Sequence, residues 1–524
     1  MAVLLHKDRL LSLATGGIVT LAAIPLLFVA YTSLQLNASE WAGLWSSRMP
    51  DLLWNTFLLV MLVAAGCLVL GVSAAWLIAR RQFPGRTAAL WLMVLPLTIP
   101  TYVFAYVYTS LLESHGWLGR LWQGLFGEGV PVPDLYNAVG VALILSLSGF
   151  SYVFLMSYAA MRRSNPHLEE AARIQGATSR EVFWRITLPL LRPAIAAGLA
   201  VVTLHVLSDF GAVSMLRYQT FTLSIYLQMT GRFDYEAAAG LSLVLVMLAL
   251  TFLVFERFFR SRQRFYFGSR VKRVTPRHAS RGELILIWSW LGLIALLAFV
   301  LPLLWMLSWS WTAWTREAIG VEFWGYLGNS LLVAFAAATI AVFAALPIGY
   351  YYNRVRSWLS ALYLHLSSIG FVLPGPVVAL GALTFILAAL PALYGGLLAL
   401  VLVLVVRFLP LAVQSQESAL QQLTPSIEQA GRLLGAGPLE NLRRVVLPMI
   451  RGGMISAWVL VFIDVMKELP ATLILRPIGF DTLPVRIWIE ASEEMLELAA
   501  PAALLLLVGS LPAMWIVMRG EKAR

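Results

Sequence analysis

Twelve runs of apolar residues recur along this chain of 524 residues, each at least about as long as the ~20-residue helix that crosses the hydrocarbon core of a bilayer. They lie near 12–35, 54–80, 88–112, 137–161, 190–215, 235–257, 283–310, 329–351, 358–390, 393–417, 449–475 and 496–518. Nothing else in the sequence narrows the possible folds as far. Backbone N–H and C=O groups find no water in lipid, so a spanning segment must satisfy them within itself. Continuous apolar runs do this as helices, whereas barrel strands alternate. Only 12% of residues are charged, about half the share of a soluble domain. The expected fold is an all-α integral membrane protein. The first run follows Lys7 and Arg9 as in a signal peptide, but it is too long for a signal core and reads as a retained helix.

The net charge of +11 is explained by topology. Arg80, Arg81 and Arg86 follow the second run, Arg162, Arg163 and Arg173 the fourth, and a basic stretch from Arg257 to Arg281 the sixth. Arg354 and Arg356 follow the eighth run, Arg432, Arg443 and Arg444 the tenth, and Arg519, Lys522 and Arg524 the last. Cytoplasmic connections carry such an excess of Lys and Arg. Both termini are therefore expected in the cytoplasm of a multi-pass protein, with lipid as the surrounding partner and no nucleic-acid partner. The single cysteine, Cys67, lies inside an apolar run and offers no disulfide and no Cys-based metal site.

Sliding the chain by 259 residues places the stretch Pro166–Arg192 on Pro425–Arg451 without a gap, with 11 identities in 27 positions. Asp209 then meets Glu468, and Arg217 meets Arg476. Earlier, Asn55 meets Asn329 at a shift of 274, because the first copy has a longer outer loop. The chain thus reads as two parallel six-helix repeats: residues 1–257, a basic cytoplasmic linker 258–282, and residues 283–524. An even helix count relates the repeats by a pseudo-two-fold axis along the membrane normal.

Both repeats carry a polar segment after their fourth run, at 164–189 and 423–448. In the first, Asn165-Pro166 gives a helix start, Glu169 and Glu170 suit the first turn, and Gly176 allows a sharp turn. Ser179 with Glu181 opens a second short helix that is expected to end near Leu188-Pro189. The second repeat has Thr424-Pro425, Glu428, Gly435 and Leu447-Pro448 at the same offsets. One such segment would suit an amphipathic helix lying on headgroups. Two copies at fixed spacing point instead to docking of a two-fold-symmetric cytoplasmic partner.

Glu170-Ala171-Ala172, Gly176, and Ile186-Thr187-Leu188-Pro189 resemble, position for position, the EAA loop of ABC importer permeases, E-A-A-x3-G-x9-I-x-L-P. Gln429-Ala430-Gly431, Gly435 and Val445-Val446-Leu447-Pro448 form a degenerate copy, in which Gln429 replaces the acid and Glu428 stands beside it. The resemblance implies the type I ABC importer permease fold, with twelve transmembrane helices. It also implies coupling loops that dock two copies of an ABC ATPase subunit, and a periplasmic or extracellular substrate-binding protein as a further partner. The coupling residues would be Glu169, Glu170, Ala171, Ala172, Gly176, Leu188, Pro189, Glu428, Ala430, Gly435, Leu447 and Pro448. The chain has no G-x-x-x-x-G-K-[ST] phosphate loop. It is thus expected to hold no catalytic residue and no cofactor of its own, with ATP and Mg handled by the partner.

Ionisable residues inside a membrane are candidate functional residues because their burial is costly. Asp209, Asp464, Lys467 and Glu468 lie about 20 residues beyond each Leu-Pro, roughly 30 Å along a helix and so near the outer face. One reading is a salt bridge at that interface, such as Lys467 with Asp464; the other is a translocation gate in which Asp209 and Glu468 face each other. Arg407, inside the tenth run, reads as snorkelling or as paired within the bundle, or as coupling motion to the loop that follows. Carboxylates suit a hard cation such as Fe3+, and with no stable metal-site spacing any contact at Asp209 and Glu468 would be transient.

The stretches around Ser208–Leu216 and Lys467–Pro477 are similar to those of fused ferric-iron permeases, which work with a periplasmic ferric-binding protein. The resemblance implies an inner-membrane permease moving Fe3+ by alternating access. Fused thiamine permeases and a secondary transporter with two six-helix repeats are the alternatives, and phosphonate-type substrates fit poorly with acids at the gate.

Overall fold

The computed structural model describes residues 2–113, 115–163, 167–261, 277–368, 370, 373–421, 423 and 425–522. Nearly all of them are helical; two-residue strands, Arg81–Gln82 and Arg277–His278, form one short parallel pair. Most of the basic linker 258–282 lies outside the described residues. Among the described residues nine helices are long and apolar enough to span a membrane, and the pair Arg86–Thr98 and Thr101–Leu112, bent by 98°, passes the same test only when taken together. The remaining two expected runs correspond to shorter apolar helices, Gly375–Ala389 with Trp358–Ser367 before it, and Leu496–Pro512.

The chain falls into two compact units, and they are not the two sequence halves. One contains Met1–Leu44, Ser224–Val246 and Thr312–Arg524; the other contains Trp45–Leu223 and Met247–Trp311. In the first unit the opening helix Ala2–Ser33 packs on Gly375–Ala389, Val321–Val355 and Trp358–Ser367 of the second repeat. In the second unit the helices Arg281–Ala295 and Leu301–Thr315 pack with the first repeat. There the Trp290 indole donates to Ser73 Oγ at 2.9 Å and the Trp305 indole to Ser110 Oγ at 3.2 Å. Each repeat's opening helix is therefore housed with the other repeat.

The helix Met49–Arg80 shows how lipid selects the residues. Leu59, Val63, Cys67 and Ile78 are fully buried within its unit, while Trp54, Phe57, Met61 and Val69 on its other side are exposed yet apolar. A helix that is apolar all round is stable only where the surroundings are apolar too. The repeat symmetry extends to one hydrogen bond. Asn55 Nδ2 donates to the Gln219 carbonyl at 3.1 Å in one unit, and Asn329 Nδ2 to the Asp481 carbonyl at 2.9 Å in the other.

Two expected helix boundaries need correction. The short helix after Gly176 does not end at Leu188-Pro189: Ser179–Val182 runs through a π turn, Phe183–Thr187, into Leu188–Ser208. Proline in a helix removes an i→i−4 hydrogen bond and crowds the preceding turn. The wider π turn, with Leu188 N–H donating to the Phe183 carbonyl, accommodates Pro189. The second repeat repeats the device with Leu442–Val446 before Leu447-Pro448. At the other end, the runs expected to reach 215 and 475 break early, at Asp209 and Lys467, before the short helices Gly211–Met215 and Pro470–Leu475.

Candidate functional site: two polar loops and the breaks they reach

In the first repeat the helix His167–Ile174 is followed by a reversal in which Gly176 has φ +89°, a conformation that costs any residue with a Cβ. Thr178 caps the next helix: its amide and hydroxyl both donate to Glu181 Oε2 at 2.9 Å, and its Oγ1 accepts from the Glu181 N–H. These bonds, the amide first, hold the Glu181 carboxyl below its usual range. Thr178, not Ser179, is thus the side chain that opens this helix.

Glu169 and Glu170 stand next to each other at the start of the loop. Glu169 is buried, and its Oε1 binds both the guanidinium of Arg80, from the end of Met49–Arg80, and Thr187 Oγ1 at 3.0 Å. It faces inward and holds the loop to the second helix. The side chains of Glu170 and Glu428 lie outside the described residues. Ala171, Gly176 and Ile174 are exposed, with Ile174 at 87%; Ala172, Leu188 and Pro189 are partly buried.

The second loop repeats the shape with different packing. The helix Pro425–Leu433 is followed by Gly435 at φ +87°, and Gln429, Ala430, Leu433 and Leu434 are exposed. Leu447 is partly buried and Pro448 exposed. Thr187 is replaced by Val446, and Arg354, at the position of Arg80, donates to the Tyr350 hydroxyl at 2.6 Å. Asn441 is buried and stands where the first loop has Val182; a Cβ on Gly431 would lie 2.6 Å from its Oδ1. The smaller Gly431, in place of Ala172, makes room for the larger polar residue.

Each fifth helix ends at one of the predicted acids. Asp209 Oδ1 accepts the N–H groups of Ala212 and Val213 at 3.0 and 3.2 Å, and Oδ2 accepts the Thr101 hydroxyl at 2.5 Å. Thr222 Oγ1 donates to the Asp209 carbonyl at 2.6 Å. Glu468 Oε1 accepts the Ala471 N–H at 3.0 Å, and its Oε2 lies 3.1 Å from Arg407 Nη2. Lys467 pairs with Asp464 at 3.5 Å, one turn apart on the helix. Among the described residues no group of three or more His, Cys, Asp or Glu is placed to hold a metal ion.

Sequence reasoning missed Arg80, Thr187, Thr178 and Thr101, and it left Arg407 without a partner. Thr178 was findable, as T-x-x-E is a capping box. The others meet their acids across long separations that no local spacing reports.

The family model of the binding-protein-dependent transport system inner membrane component matches this chain twice, over residues 67–264 and 337–521. The chain is 30% identical over 492 residues to the Fe(3+)-transport system permease protein FbpB 2 of Haemophilus influenzae, covering 93% of both chains. It is 24% identical over 409 residues to the ferric transport system permease protein FbpB of Actinobacillus pleuropneumoniae, covering 73% of this chain and 58% of that one. The sulfate transport system permease protein CysT of Escherichia coli matches at 31% over 273 residues, 50% of this chain and 94% of its own.

Proposed function

This chain belongs to the binding-protein-dependent transport system inner membrane components, and on that footing we propose that it moves ferric iron into the cytoplasm as a fused permease with two ATPase docking loops. Membership makes it an ABC importer permease subunit without an ATPase site of its own, and sets aside the secondary transporter.

One observation carries the mechanism. In both repeats a continuous helix runs from just after the exposed turn, through the π turn and the fifth helix, to a break beside a buried acid. Arg180–Ser208 has 29 residues, roughly 40 Å of helix. The apolar tips Ile174, Leu433 and Leu434 would seat in two ATPase copies, whose use of ATP and Mg moves the loops. Each helix then carries that displacement to the break at Asp209 or Glu468, where the path opens to one side of the membrane and then the other. Both termini and the basic connections lie in the cytoplasm, and a binding protein delivers substrate from outside.

The iron assignment is supported by similarity over nearly the whole chain to a ferric permease of the same two-repeat length. A sulfate reading draws on the half-length sulfate relative. Uptake of radiolabelled ferric iron, sulfate and thiamine in a strain lacking this chain separates them. Iron uptake should be lost and restored by the gene, and loss of sulfate or thiamine uptake instead would overturn the iron reading. Native mass spectrometry of the complex should find two ATPase subunits per chain.

A further inference from the structure

The two repeats hold the break after their fifth helix by different chemistry, and four aligned positions change together. Thr101, which follows Pro100, corresponds to Gly375, which follows Pro374, at the shift of 274. Ser148 corresponds to Arg407, and Asp209 to Glu468, at the shift of 259. In the first repeat Thr101 donates its hydroxyl to Asp209. Ser148 takes no part, since its hydroxyl donates to the Leu145 carbonyl of its own helix at 3.1 Å. The carboxylate is held by neutral donors, two amides and a hydroxyl.

In the second repeat the hydroxyl is gone and a guanidinium arrives from the middle of Leu397–Leu420. Glycine at 375 is what admits it: a Cβ there would lie 2.1 Å from Arg407 Nη1 and 2.5 Å from Pro470 Cγ. Neither contact can be relieved by a small shift of a free side-chain end, because Arg407 is fixed by Glu468 and Pro470 by its ring. Threonine at 375 therefore conflicts both with arginine at 407 and with proline at 470, where the first repeat has Gly211 at the shift of 259. The longer Glu468 in place of an aspartate reaches the guanidinium at 3.1 Å while still accepting the Ala471 amide. Both partners are largely buried, at 14% and 4% side-chain exposure, so their attraction is weakly screened and the loss of either leaves a stranded charge.

We propose that Arg407 is a positioning residue of the translocation path, which with Gly375 replaces the hydroxyl clamp of the first repeat by an ion-pair latch. The latch fastens the break at Lys467–Leu469 to the helix Leu397–Leu420 and neutralises Glu468. The two hinges are thus inequivalent, and Glu468 serves as a hinge fastener while Asp209 keeps the uncompensated charge. The proposal rests on the chain being a permease, and its latch geometry does not depend on which substrate is carried.

The test transplants the first-repeat clamp into the second. The purified full chain is compared with R407S, G375T and the quadruple variant G375T/R407S/E468D/P470G by hydrogen exchange at the Ala471 amide. Uptake of radiolabelled ferric iron is measured in cells carrying the whole transporter. R407S and G375T should each speed exchange at Ala471 and slow maximal uptake by roughly tenfold. The quadruple variant should return both to within about threefold of the parent, because it restores a matched set. A G375T variant that behaves like the parent, or a quadruple variant no better than R407S, overturns the latch. If the parent carries no iron, uptake is silent in every variant, yet the exchange rates still decide the latch, so failure of the iron reading is distinguishable.

Discussion

Arg80 and Glu169 form a buried ion pair that ties the end of the second helix to the first polar loop, and Thr187 of the π turn shares the same carboxylate oxygen. The acid beside the E-A-A motif thereby fixes the loop from inside, so the proposed docking role falls to its neighbours. Replacing Arg80 with alanine strands a buried carboxylate, at a cost of about 3–5 kcal/mol. Thr187→Val, which imitates Val446, loses one hydrogen bond, worth about 1 kcal/mol. Hydrogen exchange in His167–Ile174 should rise far more in R80A than in T187V; equal rates in both would show that the pair does not hold the loop.

Gly176 and Gly435 sit at φ +89° and +87° with no atom within 4 Å of an added Cβ. Alanine at either position meets backbone strain alone, of about 1–2 kcal/mol. Both single variants should lose ATPase co-purification to a similar degree, and the double variant should lose uptake. Normal uptake in the double variant would remove the docking role of the turns.

Ile174 and Leu433 occupy the same place in the two loops and are 87% and 88% exposed. Aspartate at either should change stability by no more than about 0.5 kcal/mol, as at other exposed sites. Capture of the ATPase by the detergent-purified chain should nevertheless fall at least several-fold. Undiminished capture in I174D/L433D would place the docking surface elsewhere.

The cap at Thr178 predicts a pH effect with a definite sign. The Glu181 carboxyl is depressed by the Thr178 amide and hydroxyl, so its contribution is complete above the ordinary glutamate range. It is lost as pH falls below the ordinary glutamate range and through the lowered value. Exchange of the amides in Ser179–Val182, corrected for intrinsic rate, should accelerate on acidification; Thr178→Val, which keeps the amide, should weaken that dependence, and Glu181→Gln should abolish it. Gly437 stands at this position in the second loop and offers no hydroxyl for a side-chain cap.

Much of the fold and part of the candidate site were legible from the residues in order. Every expected apolar run has a helical counterpart, because hydropathy over about 20 residues is a local property and lipid leaves a spanning backbone few alternatives. The two polar loops were legible for the same reason: a left-handed glycine, a capping residue and a Leu-Pro pair act within a few residues of themselves. The repeat exposed their pairing, and the matched Asn55 and Asn329 contacts follow it into three dimensions.

The helix ends and the partners of the acids were not legible. The short helix after Gly176 was expected to end near Leu188-Pro189, but the π turn absorbs the proline and carries the chain into the fifth helix. Arg80 meets Glu169 across 89 residues and Thr101 meets Asp209 across 108, while each repeat's opening helix is housed with the other repeat. Helices in lipid are brought together by shape and by scarce polar pairs, because apolar surface gains little by leaving apolar surroundings. Those choices are made between distant segments, and a pattern that reports only what lies three or four residues away does not contain them.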